Sequence, residues 1–227
     1  VIPVPKDRRS IFVVPWGDQT YIGTTDTDYG GSLDDPQCTS EDIDYLLGAI
    51  NTFVTDALSA QDVTGTWAGL RPLVKAATTE RTADLSRRHH VGVSSTGVVS
   101  ITGGKLTTYR KMAADTMDVV VRRLGTGTRH SPTRRLDIRG ARGHDRVDGR
   151  GLVGGDALNH LVGRYGGESS EVLDLVEAEP DRRLGDPLVS GLPYLRAEAV
   201  YAVRHEMALT LDDVLARRTR ALLRHRV

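Results

Sequence analysis

Two short stretches hold the residues best suited to chemistry. In the first, Val98-Val99-Ser100-Ile101 runs straight into Thr102-Gly103-Gly104-Lys105-Leu106-Thr107-Thr108-Tyr109-Arg110. A β-rich run, a diglycine, a lysine and a helix start follow one another without a gap. Glycines at such a junction let a ligand approach the backbone closely. The free amides that open the helix, from Leu106 to Tyr109, carry partial positive charge suited to an anionic or electron-rich group. Lys105 adds a full charge. An ordinary turn with a surface lysine fits the same residues equally well. The second stretch is Gly65-Thr66-Trp67-Ala68-Gly69-Leu70-Arg71-Pro72, an extended run bracketed by glycines that delivers one arginine beside a proline. An arginine in that setting is a candidate for bidentate anion binding, against the commoner reading of a surface charge.

Other familiar patterns fail on context. Gly149-Arg150-Gly151-Leu152-Val153-Gly154 satisfies G-x-G-x-x-G, but it follows no strand and sits among arginines and glycines. Gly104-Lys105 is not a phosphate-binding P-loop, because the upstream glycine position holds Val99 and residue 106 is Leu. His205-Glu206 lacks a second histidine, and His89-His90 are adjacent rather than a helical turn apart, so no metal site is expected. Gly92-Val93-Ser94-Ser95-Thr96 lacks the closing glycine of a nucleophile elbow.

Elements must position these residues. Ile11–Val14 and Thr20–Gly23 read as a hairpin around Trp16-Gly17-Asp18-Gln19. Thr39-Ser40-Glu41-Asp42 starts a helix whose apolar face is Ile43, Leu46, Leu47, Ile50, Phe53, Val54 and Ala57. Residues 63–74 look extended, with Pro72 ending the run or confining it to an edge. Residues 85–93 and 97–102 form a strand pair, and a helix carrying Met112, Met117, Val120, Val121 and Leu124 follows. Residues 126–151 hold seven arginines, several glycines and few apolar residues. They read as a solvated connector, and the intervening Asp137, Asp145 and Asp148 argue against a nucleic-acid segment. Beyond residue 152 the pattern is helical: Leu158 to Tyr165, Val172 to Val176, Tyr194 to Met207, and Leu211 to Leu223 opened by Thr210-Leu211-Asp212-Asp213. The expected fold class is α+β, an antiparallel sheet with flanking helices plus an all-helical C-terminal domain. The expected segments are 1–125, a basic linker at 126–151, and a helical domain at 152–227.

Composition narrows the classes. Lys plus Arg and Asp plus Glu both total 30 in 227 residues, so there is no basic excess for general nucleic-acid binding. The single Cys38 excludes an internal disulfide framework and fits a reducing compartment. No apolar run approaches the ~20 residues a bilayer span requires, so a soluble or peripheral protein is expected. The chain opens on Val1 rather than Met, which fits a piece of a longer protein.

Four runs carry a more specific signal: Trp16 to Gly31 (WGDQTYIGTTDTDYGG), Gly65 to Val74 (GTWAGLRPLV), Ile101 to Arg110 (ITGGKLTTYR) and Arg204 to Arg220 (RHEMALTLDDVLARRTR). In type and order they resemble the FAD-dependent, quinone-linked glycerol-3-phosphate dehydrogenases, over essentially the whole chain. The resemblance implies a D-amino-acid-oxidase-like fold with a C-terminal helical cap. It also implies hydride transfer from C2 of sn-glycerol 3-phosphate to FAD, giving dihydroxyacetone phosphate, with electrons passed to quinone. It assigns Arg71 to the substrate phosphate, with Arg81 as a second cation at the same pocket. Lys105 is placed near flavin and substrate, and Gly103, Gly104, Leu106 and Thr107 at the flavin. It further implies a peripheral place on the inner face of the cell membrane from a cytoplasmic side, and leaves a homodimer open.

The family's strand–G-x-G-x-x-G–helix has no counterpart here, nor does its N-terminal Arg/Tyr pair. The expectation is therefore a C-terminal portion lacking the FAD-binding segment and inactive alone, with no nameable base. Two other readings stay open: an oxidase passing electrons to oxygen, and a non-catalytic interaction module using the arginine-rich stretch Leu211 to Leu223.

Overall fold

The computed structural model describes residues 1–4, 9–73, 88–127 and 131–224. The chain divides into two units: Val1–Ala60 with Trp67–Leu136, and Gln61–Thr66 with Asp137–Val227.

In the first unit, β1 (Ile2–Val4), β2 (Arg9–Trp16) and β3 (Gln19–Gly23) form an antiparallel sheet in the order β1-β2-β3. The hairpin register pairs Phe12 with Gly23 and closes with Trp16 opposite Gln19, leaving Gly17-Asp18 as the turn. Gly17 has φ +64°, as a two-residue hairpin turn demands. Helix α1 (Ser40–Ile50) starts where the sequence places it. The Thr39 hydroxyl accepts from the Asp42 amide at 3.2 Å while the Asp42 carboxylate accepts from the Thr39 amide at 3.1 Å. Val4, Ile11 and Ile50 form the core under the sheet, joined by Leu46, Leu47 and Leu58. Full burial of a side chain such as Ile11 stabilises by roughly 1.5–3 kcal/mol.

Helix α1 stops short of the expected face. The Asn51 carboxamide accepts from the Leu58 amide and donates to the Leu58 carbonyl, both at 2.8 Å. That pair turns the chain back so that Leu58, rather than Phe53 or Val54, reaches the core, and Phe53 is left exposed. The expected run at 63–74 joins no sheet over its described residues 63–73. At its end the Leu73 amide donates to the Arg71 carbonyl at 2.9 Å, a tight turn around Pro72 that a ladder could not accommodate.

Strands β4 (His90–Val93) and β5 (Val99–Thr102) pair antiparallel, with His90 opposite Thr102. A short turn, Leu106–Thr108, leads into α2 (Tyr109–Leu124), which lies against both strands. Gly125, at φ +65°, ends α2 as a left-handed cap.

The second unit is helical: α3 (Gly155–Tyr165), α4 (Ser169–Ala178), α5 (Arg196–His205) and a last short helix, α6 (Ala221–Arg224). Its apolar core joins Leu161, Val172, Leu173, Leu195 and Tyr201. At its centre lies the fully buried Glu198. Its carboxylate accepts from the Leu195 amide at 2.8 Å and the Tyr165 hydroxyl at 3.0 Å, and His160 Nε2 lies 3.0 Å away. Burial, and then the charge of Glu198, pushes the Tyr165 phenol well above its usual range.

The expected fourth helix is broken. Asp213–Arg218 is a π turn in which the Thr219 amide and hydroxyl both donate to the Val214 carbonyl at 2.8 Å. Arg220 then takes φ +59°, and only Ala221–Arg224 resumes. The start signal is real: Asp213 accepts from the Thr210 amide at 3.0 Å and Thr210 from the Asp213 amide at 3.2 Å.

The basic stretch is ion-paired where it meets this unit. Arg139 reaches Glu168 and Glu171, and Arg150 reaches Asp174 at 2.7 Å and Glu177 at 2.9 Å. Such exposed pairs contribute little individually. Val147 packs onto the core beside them.

Candidate functional site

The two stretches with chemical potential meet in the first unit. One cavity of about 320 Å³ is lined by Leu70, Arg71, Pro72 and Leu73 on one side and by Gly104, Lys105 and Leu106 on the other.

The lysine side is set by backbone geometry. Where β5 ends, Gly103 and Gly104 take φ +73° and +83°, a region that other residues enter only at a cost. At Gly104 a side chain would also press on its neighbours. A Cβ would fall 2.5 Å from Met112 Sδ and 3.2 Å from the His89 Cβ. Lys105 returns to extended backbone, and the Thr108 hydroxyl donates to its carbonyl at 2.9 Å while accepting from its amide at 3.3 Å. The next amides, Leu106 and Thr107, open a helical turn and have no carbonyl a turn earlier to bond. Lys105 and Leu106 are both exposed at the cavity.

The arginine side is set by the segment after β3. Arg71 Nε lies 3.3 Å from Asp26 Oδ1, and its Nη2 donates to the Thr24 hydroxyl at 3.3 Å. The guanidinium is therefore aimed from one edge, and these contacts use two of its five N–H donors. The remaining donors can take a second acceptor such as a phosphate oxygen. A cavity with a guanidinium on one wall, and an ammonium beside open amides on the other, can hold a small anion against an electron-rich ring. Lys105 and the open amides of Leu106 and Thr107 are donors suited to an electron-rich ring edge, so these residues fit a flavin.

Of the expected residues, Arg71, Gly104, Lys105 and Leu106 line the cavity together. Gly103 is buried behind it, and Thr107 sits within the turn without lining it. Arg81 lies outside the described residues. Sequence reasoning passed over Thr24 and Asp26, although both stand in the TTDTD run after β3. It also set aside His89, whose Nε2 lies 2.8 Å from Asp115 Oδ2 on α2. Lys111 Nζ lies 2.5 Å from the other Asp115 oxygen, and Lys111 first, then His89, holds that carboxyl below its usual range.

Comparison with known proteins reaches both units. Residues 1–110 match the family described as FAD dependent oxidoreductase, and residues 131–226 match the C-terminal domain of alpha-glycerophosphate oxidase. Glycerol-3-phosphate dehydrogenase 2 of Mycobacterium tuberculosis is 40% identical over 221 residues, covering 94% of this chain and 37% of that protein. The glycerol-3-phosphate dehydrogenase of Synechocystis sp. is 35% identical over 225 residues, 94% of this chain and 40% of its own length. The crystal structure of the Bacillus halodurans glycerol-3-phosphate dehydrogenase complexed with FAD superimposes with a TM-score of 0.79 at 34% identity, over 96% of this chain and 43% of that one. The chain thus spans well under half the length of these relatives. Both units have the fold that the resemblance implied.

Proposed function

The chain belongs to the FAD-dependent glycerol-3-phosphate dehydrogenase family, and from that membership we propose that its Arg71–Lys105 cavity holds sn-glycerol 3-phosphate against FAD during oxidation to dihydroxyacetone phosphate. The observation that carries this reading is the meeting of Arg71 and Lys105 on the walls of one cavity. FAD is the family's cofactor, and when bound it supplies the acceptor for the hydride leaving C2 of the substrate.

This chain's residues bind and orient. Arg71, steadied by Asp26 and Thr24, grips the phosphate through charge-assisted hydrogen bonds. Gripping the phosphate fixes a flexible substrate by its far end, so remote binding energy aligns the C2–H bond. Lys105 and the amides of Gly104, Leu106 and Thr107 face the flavin edge, where positive charge favours the electron-rich form. Arg81 serves as the second phosphate cation. Anaerobic mixing of the FAD-loaded enzyme with glycerol 3-phosphate tests the reading. It predicts bleaching of the flavin with one dihydroxyacetone phosphate formed per flavin. An unbleached flavin contradicts it.

The electrons pass to quinone, with the enzyme peripheral at the inner membrane face; among the described residues no helix is long and apolar enough to cross a membrane. One observation favours a second reading, transfer to oxygen: the helical unit matches a domain described from alpha-glycerophosphate oxidase. Turnover that requires quinone supports the first acceptor, and stoichiometric peroxide from air supports the second.

A further inference from the structure

The Gly103-Gly104-Lys105 turn is tied ahead by the Thr108 hydroxyl and packed behind by two further elements. Behind Gly104 lie Met112, from the first turn of α2, and His89, from the residue before β4. Both side chains lie where a Cβ at Gly104 would stand, so the turn packs directly on α2 through Met112 and on the start of β4 through His89. A polar contact spans these two elements there: His89 Nε2 and Asp115 Oδ2 lie 2.8 Å apart, both partly buried. Asp115 lies one turn beyond Met112 on the same helix, and Lys111 Nζ engages its other oxygen, so the carboxylate is held from both sides.

We propose that His89 and Asp115 are positioning residues, a clamp between β4 and α2 that sets the height of the Gly104-Lys105 turn against the flavin. The proposal rests on the flavin-facing reading of that turn. Neither residue lines the cavity, so the clamp acts only through the backbone it seats. A turn that moves by a fraction of an ångström carries Lys105 and the following amides away from the ring edge they polarise, and misplacement on the 1 Å scale costs up to about a hundredfold in rate.

The test uses the FAD-loaded enzyme and four variants: His89→Ala, Asp115→Asn, the double variant, and Lys105→Ala. Three quantities are read on each: the visible spectrum and midpoint potential of the flavin, the limiting rate of its anaerobic reduction, and the apparent Kd for glycerol 3-phosphate. The clamp predicts that His89→Ala shifts the spectrum and potential and slows reduction roughly tenfold, with Kd within about twofold of wild type. Asp115→Asn keeps the shape and the fold but weakens the contact, and moves the same quantities in the same direction. The double variant is no worse than His89→Ala, because both changes break one interaction. A merely structural pair would lower the melting temperature and leave potential and limiting rate untouched, which overturns the proposal. Additive effects of the two changes also overturn it. If Lys105→Ala moves the spectrum while the clamp variants do not, the clamp alone falls. If none of the variants moves it, the flavin-facing reading of the turn falls with it.

Discussion

Asp26 Oδ1 stands 3.3 Å from Arg71 Nε, so an acidic side chain steadies the guanidinium proposed to bind an anion. Its value lies in orientation: an arginine held along one edge presents its other donors in a fixed fork. Asp26→Ala is expected to raise the apparent Kd for glycerol 3-phosphate roughly tenfold, in line with a charged hydrogen bond of about 1.5 kcal/mol. In an Arg71→Ala background the same change should do nothing further. Tighter binding by Asp26→Ala would mean that the carboxylate competes with the substrate instead of aiming its ligand.

Gly104→Ala combines backbone strain at φ +83° with a collision against Met112 and His89. Gly125→Ala provides the control, since its φ is +65° but nothing lies within 4 Å of the added Cβ. The control should lose about 1 kcal/mol of stability and keep its FAD. Gly104→Ala should lose more stability and much of its flavin occupancy, measured as bound FAD per chain after gel filtration. Equal flavin content in the two would show that the turn tolerates displacement.

In the helical unit, Glu198 satisfies Tyr165, Leu195 and His160 at once. Glu198→Ala strands those partners in the core and should cost about 3 kcal/mol or more. Tyr165→Phe removes one partner only and should cost about 1 kcal/mol. Denaturant melts would read both; a loss below 1 kcal/mol for Glu198→Ala would show that the cluster is open to water.

Asp213 provides a pH signature. The Leu209 and Thr210 amides, then the Thr210 hydroxyl, lower its folded pKa to about 2 from its ordinary 3.8. A depressed carboxylate contributes stability that is fully present above the unfolded pKa and lost as pH falls through the folded one. The melting-temperature difference between wild type and Asp213→Asn should therefore be constant above about pH 5 and shrink towards zero as pH falls to about 2. A difference that persists at pH 2 would assign the effect to the hydrogen-bond shape of the side chain instead of its charge.

What the sequence made legible followed local rules. The hairpin at Gly17-Asp18, the Thr39/Asp42 cap and the Gly103-Gly104 turn each depend on a few neighbouring residues, and each formed as expected. The misses were set at a distance. Asn51 ends α1 through a residue in the following loop, Leu58, and no periodicity records that. Arg220 interrupts the last helical run with a positive φ that nothing in its residue type announces. The site divides the same way. Arg71 and Lys105 stand out by local context, whereas their supports, Asp26 and His89, are ordinary residues until the fold brings them alongside. Of two adjacent histidines, only packing against α2 selects His89.

Arg71 is proposed to recognise the substrate's phosphate in the cavity that also holds Lys105. The most direct measurement is the limiting rate and apparent Kd of anaerobic flavin reduction by glycerol 3-phosphate and by glycerol, in wild type and Arg71→Ala. Loss of a charge-assisted contact predicts a Kd for glycerol 3-phosphate raised roughly ten- to a hundredfold, with the weak reaction of glycerol unchanged. A Kd for glycerol 3-phosphate equal to wild type, or an equal loss with both substrates, would contradict it.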